Sequence, residues 1–155
     1  MIGHLFSAIS SAEGIHVKNH LKALEKIRNS KVIIEDIVHI DTQQLQNNVK
    51  STRENLLQAI AGETYEFKKM YKSYIKNAKY NNLYLAEYSF SLARKAEKVH
   101  SKLFKKFLKN LDNGNHTEKQ DLYVCQICGN VELGEPPRIC PVCEHDQKFF
   151  KKFSQ

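Results

Sequence analysis

Four cysteines, Cys125, Cys128, Cys140 and Cys143, are the chain's full complement, and they form two Cys-x-x-Cys pairs within "VCQICGNVELGEPPRICPVC". No other feature limits the fold as strongly. In each pair the backbone of a tight knuckle can aim amides at sulfur, and two knuckles together close a tetrahedron around one ion. A pair of disulfides is the alternative. The N-terminus, "MIGHLFSAISSAEGIH", has no basic region followed by a long apolar run. A chain without an export signal is expected in the cytoplasm, where disulfides are rare and metal sites are not. Zinc and a single iron both suit four thiolates, and the spacing alone does not separate them.

The remaining residues carry no cysteine and read as helices. Leu5, Ile9, Ala12, His16, His20 and Ala23 recur at helical spacing over about Ile2–Ile27. "KVIIEDIVHI" looks strand-like alone, but it sits in a stretch rich in Asn, Gln and Asp. Residues 28–50 are therefore expected to be a long crossover with a short helical or extended piece. Ser51 with Glu54 three residues on is a capping-box pattern, opening a second helix that runs to about Tyr80. "KYNN" turns the chain into a third helix, about Leu83–Leu111, with Leu85, Leu92, Ala96, Val99, Leu103 and Phe107 facing the core.

The polar run "DNGNHTEKQD" is a linker. The expected organisation is a helical unit over 1–111, a linker over 112–121 and a cysteine module over 122–155. No stretch approaches the ~20 apolar residues of a membrane helix. A net charge of +7 raises a nucleic-acid partner, but the lysines are spread along the helices, which disfavours one.

The helical part holds three further pairs: Glu13-Gly-Ile-His16, Glu63-Thr-Tyr-Glu66 and Glu97-Lys-Val-His100. Residues three apart differ by about 60° around a helix, so both side chains of each pair leave one face. Glu-x-x-His on two helices, with further glutamates from others, is the ligand pattern of di-iron carboxylate bundles. One such pair arises on solvated helices by chance. Three, flanked by Ile15, Tyr65 and Val99, favour a buried site. Gly62 before Glu63 suggests a close helix approach. His4, His20, His39, His116 and His145 fit no second ligand pattern and are read as solvated or capping.

The segments "LFSAISSAEGIHVKNHLKAL", "TRENLLQAIAGETYEFKKMY" and "ARKAEKVHSKLF" resemble the second, third and fourth helices of rubrerythrins. The cysteine stretch, with Gly129 after the first pair and Pro141 in the second, is similar to their rubredoxin-like module. Tyr123, Phe149 and Phe150 are placed to pack over its metal. The resemblance implies a mainly α, ferritin-like bundle with three of its four helices, joined to a small rubredoxin-like domain. It implies two non-haem irons in the bundle and one iron, or zinc, at Cys125, Cys128, Cys140 and Cys143.

By the same resemblance Glu13 and Glu97 would bridge the irons, and His100 and Glu63 would complete one of them. Glu66 and His16 would exchange at the other, and Tyr71 would hydrogen-bond a ligand carboxylate. The implied activity is reduction of hydrogen peroxide to water in oxidative-stress defence. Electrons would pass through the four-cysteine iron from a separate reductase, since the chain has no Gly-x-Gly-x-x-Gly loop for a nucleotide.

The chain departs from the family in starting at the second helix, which leaves the first helix's glutamate without a counterpart. An apolar trough is then expected along the bundle, to be covered in a dimer or larger assembly. The rival readings are a metal-binding interaction module with a zinc ribbon, a degenerate fragment, and an iron store; the last is disfavoured by the attached electron-transfer site.

Overall fold

The computed structural model describes residues 1–115 and 120–154. The middle of the polar linker, with His116, lies outside the described residues.

Helix α1 (Ile2–Arg28) buries Leu5, Ile9, Ala12, His16 and Ala23, the face its spacing predicts. It stops at Asn29, whose φ of 50° is left-handed and whose N–H bonds the Glu25 carbonyl. Lys26 and Arg28 in its last turn lie at the negative end of the helix dipole. The crossover holds a 3-10 turn at Ile34–Asp36 and a short helix α2 (Thr42–Asn47), capped by the Asp41 side chain. "KVIIEDIVHI" forms no strand, having no neighbouring strand to pair with, and Ile33, Ile37, Val38 and Ile40 remain exposed.

Helix α3 (Thr52–Tyr65) begins at the Ser51–Glu54 capping box, both halves of which are made. It runs into one π-helical turn (Glu66–Met70) and continues as α4 (Tyr71–Tyr80). The apolar pattern alone predicts one uniform helix here. The π turn adds a residue to the winding, which re-aims the side chains beyond it, and such turns concentrate at functional sites. A Cβ placed on Gly62 would meet nothing within 4 Å, so that glycine marks no close helix approach.

Helix α5 (Tyr84–Asp112) is central, packing on α1 and on the α3–α4 rod. It buries Leu92, Ala96, Glu97, His100, Phe104 and Phe107. Leu85 is exposed and lines an open cavity against α1.

Beyond the linker, β1 (Leu122–Cys125), β2 (Val131–Leu133) and β3 (Phe150–Phe153) form an antiparallel sheet in the order β2-β1-β3. Leu122, Val124 and Val131 enter the same core as Leu5, Ala8, Ile9, Leu56 and Phe107. The trough expected along the three helices is therefore filled in part by the chain's own cysteine module. The opposite end stays open, as cavities of about 480 Å³ beside Leu85 and Tyr88 and about 380 Å³ beside Ile27 and Tyr74.

Candidate metal centres

The four sulfurs converge. Cys125 Sγ lies 3.7 Å from Cys143 Sγ, and Cys128 Sγ lies 3.7 Å from Cys140 Sγ. A disulfide needs about 2.05 Å. A tetrahedron with metal–sulfur bonds of about 2.3 Å has edges of about 3.8 Å. The spacing is that of a four-thiolate cage, and the cysteines are free. Leu92, Val142 and Phe150 pack around it, with Tyr123 at its edge, whereas Phe149 stands edge-on to the His145 ring. Contacts from Cys125 and Cys128 hold Cys140 down, to about 2, while burial pushes Cys143 up to about 12. Binding a cation to such thiols releases protons.

The second cluster lies between α1, α3 and α5. Ligand-type atoms of Glu13, Glu63, Glu97 and His100 fall within 4.8 Å of one another. His16 Nδ1 is 3.0 Å from Glu13 Oε2 and 3.0 Å from Glu97 Oε1. His100 Nδ1 is 2.9 Å from Glu97 Oε2 and 3.5 Å from Glu13 Oε1. Yet Glu13 Oε1, Glu63 Oε2, both Glu97 oxygens and His100 Nδ1 have no hydrogen-bond partner of acceptable geometry. Short but misaligned contacts between buried polar atoms are what a shared cation would resolve. The donor set of hard carboxylates and imidazoles suits iron.

Without a cation, protons balance the charge. Burial works against ionised Glu13, but contacts with His100 and His16 outweigh it and bring its pKa down to about 2. Burial also opposes a charged His16, yet Glu13 and Glu97 raise it to about 9. Glu63 is pushed up to about 7 by burial, against the pull of His100. Glu66, half-buried at the start of the π turn, reaches about 7 through burial and the charges of Glu97, Glu63 and Glu13.

The two clusters are joined. His16 Nε2 lies 3.0 Å from the Cys128 carbonyl, and His100 Nε2 lies 2.9 Å from the Gly129 carbonyl. A carbonyl only accepts, so both rings carry hydrogen on Nε2, and a neutral ring then offers its Nδ1 lone pair to the carboxylate cluster. Asn19 Nδ2 adds a third bond, donating to the Ile127 carbonyl at 2.8 Å. Gly129 permits this approach. Its φ is +75°, and a Cβ there would sit 2.5 Å from His16 Nε2.

The rubrerythrin family's sequence profile matches residues 1–116, and that of its rubredoxin-like domain matches 123–151. The chain belongs to the rubrerythrin family. It is 33% identical to rubrerythrin-2 of Clostridium acetobutylicum over 98% of its own length and 78% of that relative. It is 30% identical to a putative rubrerythrin of Methanocaldococcus jannaschii over 97% of its length and 75% of that protein's. Among solved structures, a fully reduced, all-ferrous nigerythrin superposes with a TM-score of 0.81 at 25% identity. That match covers 98% of this chain and 70% of the nigerythrin chain. The fold is therefore mainly helical and ferritin-like with a rubredoxin-like domain, carrying a carboxylate–histidine di-iron group and a four-cysteine site. Rubrerythrins of this kind are oxidative-stress proteins, generally oxidoreductases. Among the described residues no helix is long and apolar enough to cross a membrane.

Several contacts at this rubrerythrin site are not given by spacing. His20 is neither solvated nor a cap: its Nδ1 is 2.7 Å from Ser89 Oγ and its Nε2 3.1 Å from the Tyr71 hydroxyl. Tyr71 thus has a histidine as its hydrogen-bond partner, where a ligand carboxylate was expected. Burial and the neighbouring His16 lower His20 to about 4, so it is neutral. Asn19 bonds the cysteine loop across the interface, and nothing in its local sequence signals that.

Proposed function

We propose that this rubrerythrin is a peroxidase that reduces hydrogen peroxide to water with electrons delivered through its four-cysteine iron. Each turnover consumes one peroxide, two electrons and two protons, and yields two waters. Iron bound in the bundle would supply the electrons that break the O–O bond. The observation that carries the reading is the pair of hydrogen bonds from His16 and His100 to Cys128 and Gly129. They give a route from one sulfur ligand, Cys128, through its own carbonyl to His16 and through that of the next residue, Gly129, to His100, and both imidazoles face the other centre.

Glu13 and Glu97 are assigned as the bridging carboxylates, because each lies against both histidines. Glu63 and His100 complete one ion, and Glu66 and His16 exchange at the other. Glu66 sits at the start of the π turn, half-buried and close enough to feel the charges of Glu97, Glu63 and Glu13, which suits an exchangeable ligand. Tyr71, His20 and Ser89 form a hydrogen-bonded chain, and Ser89 and His20 line the two open cavities. That chain can hand protons inward from solvent. The working division is 1–111 for the di-iron unit, 112–121 for the linker and 122–155 for the rubredoxin-like unit.

The same reading places the chain in the cytoplasm, with a separate reductase or redox protein as donor and a second copy as structural partner. Exposed Ile33, Ile37, Val38 and Ile40, with the apolar cavities at the far end of α1, supply surface for that copy. Rapid mixing tests the activity. Iron-loaded chain, reduced chemically and mixed with peroxide, should regain the visible colour of its ferric four-cysteine centre much faster than Glu97→Ala. Equal rates in the two, or native protein holding one zinc and no iron, would overturn the reading.

A further inference from the structure

A groove of about 570 Å³ runs between the π turn, α4 and α5 on the outer face of the bundle. Lys68, Lys72, Arg94, Lys95 and Lys98 line it, and no acidic residue does. Phe67 and Ile75 give it an apolar floor. The helices explain the convergence. Residues 68 and 72 are one turn apart on the rod, as are 94 and 98 on α5, and the two elements pack side by side. Arg94 Nε donates to the Phe67 carbonyl at 2.9 Å, which ties α5 to the π turn. The basic residues read as spread along the sequence are thus gathered by the fold.

The surrounding surface has the same sign. Residues 67–79 contain lysines and no acid, and residues 94–109 contain one acid, Glu97, which is fully buried. Among the described residues, none of the five groove cations makes an ion pair with a carboxylate within 4 Å. The groove also has a definite neighbour. Lys95 Nζ reaches the Val142 carbonyl at 3.5 Å, and Val142 stands between Cys140 and Cys143. Cys143 is the least buried of the four cysteines. A partner seated on the groove therefore adjoins the most accessible edge of the four-cysteine site.

We infer that this groove is the docking surface for an acidic redox protein that delivers electrons to the four-cysteine centre. The inference rests on the peroxidase reading for the purpose of those electrons, but the surface is testable without it. An apolar floor inside a cationic rim has the make-up of a transient protein interface, and uncompensated charge steers an oppositely charged partner onto it. In the exchange the partner loses one electron and the ferric centre gains one, with no bond made or broken.

The test uses the zinc-substituted full chain, which is redox-silent, with two probes, a small acidic [2Fe–2S] ferredoxin and a flavodoxin. Binding is followed by calorimetry at about 50 and about 300 mM salt. At least one probe should bind at low salt and weaken about tenfold or more at high salt. Lys72→Glu/Lys98→Glu should weaken it by a similar factor, while Lys31→Glu/Lys50→Glu, with the same change in net charge but on the crossover, should leave it within about twofold. Equal losses in both variants would reduce the effect to net charge and overturn the site. Failure of both probes to bind, or tighter groove-dependent binding of an oligonucleotide, would also overturn it. Peroxide turnover with a chemical reductant is the separate check on the peroxidase reading. If turnover persists while docking fails, only the groove assignment falls, and the converse result leaves docking standing.

Discussion

The two metal clusters of this rubrerythrin are built on opposite plans. The four sulfur ligands come from one stretch, Cys125–Cys143, at the end of β1 and in the loops beside a sheet of three short strands. The carboxylates and imidazoles come from residues 13 to 100, on three helices brought together by packing. In the first, a bound cation would organise the polypeptide. In the second, the polypeptide organises the site. About thirty residues cannot bury enough apolar surface to hold a fold without a staple, whereas the helices retain Leu5, Leu56, Phe104 and Phe107 whatever occupies the carboxylates.

The two centres should part most visibly on metal removal. In small four-ligand modules the binding free energy of the ion, about 10–16 kcal/mol at neutral pH, is the folding free energy. Cys140→Ser is expected to lose the ion and unfold the module, with amides of 122–153 exchanging freely, while circular dichroism retains most of the helix signal. Because Leu122, Val124 and Val131 sit in the shared core, the midpoint of helix unfolding should also fall. A module that stays protected from exchange without its ion would show that the bundle, and not the metal, holds it.

The carboxylate site should respond differently. Glu97→Ala removes a fully buried charge that faces His16 and His100, and leaves those imidazoles with one fewer carboxylate partner. Breaking a buried pair from one side costs about 3–5 kcal/mol. The expected result is a bundle that binds no pair of metal ions and unfolds at lower denaturant, with the four-cysteine ion still bound. Unchanged metal content would remove Glu97 from the ligand set.

The seam between the two regions is tested by a pair of glycines. Gly129 and Gly134 both have positive φ, +75° and +83°, so Ala at either meets backbone strain of about 1–2 kcal/mol. Only at Gly129 does the added methyl collide with a neighbour, the His16 ring. Gly129→Ala should cost clearly more stability than Gly134→Ala. It should also slow electron transfer between the centres at unchanged metal content. Equal behaviour of the two variants would mean that the interface gives way without consequence.

This contrast also explains what the sequence made readable. The cysteine site is written in two local spacings, and the Glu-x-x-His pairs are written in single helix turns, so both could be picked out one segment at a time. The capping box at Ser51 and the long helices follow from equally local rules. What was not legible depends on contacts between distant segments. The π turn at Glu66–Met70 leaves no mark in apolar periodicity. His20 falls in the helical spacing of the apolar face, but its partners Tyr71 and Ser89 come from segments distant in sequence. Gly129 reads as a knuckle glycine, and only the packing of His16 against it shows a second reason for its lack of a side chain.

Proton balance separates the centres further. A histidine held at about 9, as His16 is, contributes stability that is fully present below its unfolded value of 6.5 and lost as pH rises through 9. The metal-free bundle should therefore lose stability between about pH 7 and 9, as His16 gives up its proton. Metal uptake should run the other way, strengthening as Glu63 and Glu66 ionise near 7 and His16 near 9. Parallel melting curves of metal-free and iron-loaded protein across that range check both signs, and a metal-free bundle whose midpoint climbs with pH would contradict the proton-for-cation account.

The smallest effect isolates a single bond across the seam. Asn19, on α1, donates to the Ile127 carbonyl at 2.8 Å, between the two cysteines of the first knuckle. It touches neither cluster, so Asn19→Ala removes attachment without removing a ligand. A part-buried neutral hydrogen bond contributes about 0.5–1.5 kcal/mol. If His16 and His100 hold the module in place, Asn19→Ala should lower stability by about that amount and leave the colour of the four-cysteine iron and the metal content unchanged. If instead the loop is held chiefly at its rim, the loss should reach the size of Gly129→Ala, and slower electron transfer should accompany it. Measuring the two variants in one denaturation series decides between a seam centred on the metal-facing imidazoles and one spread along α1.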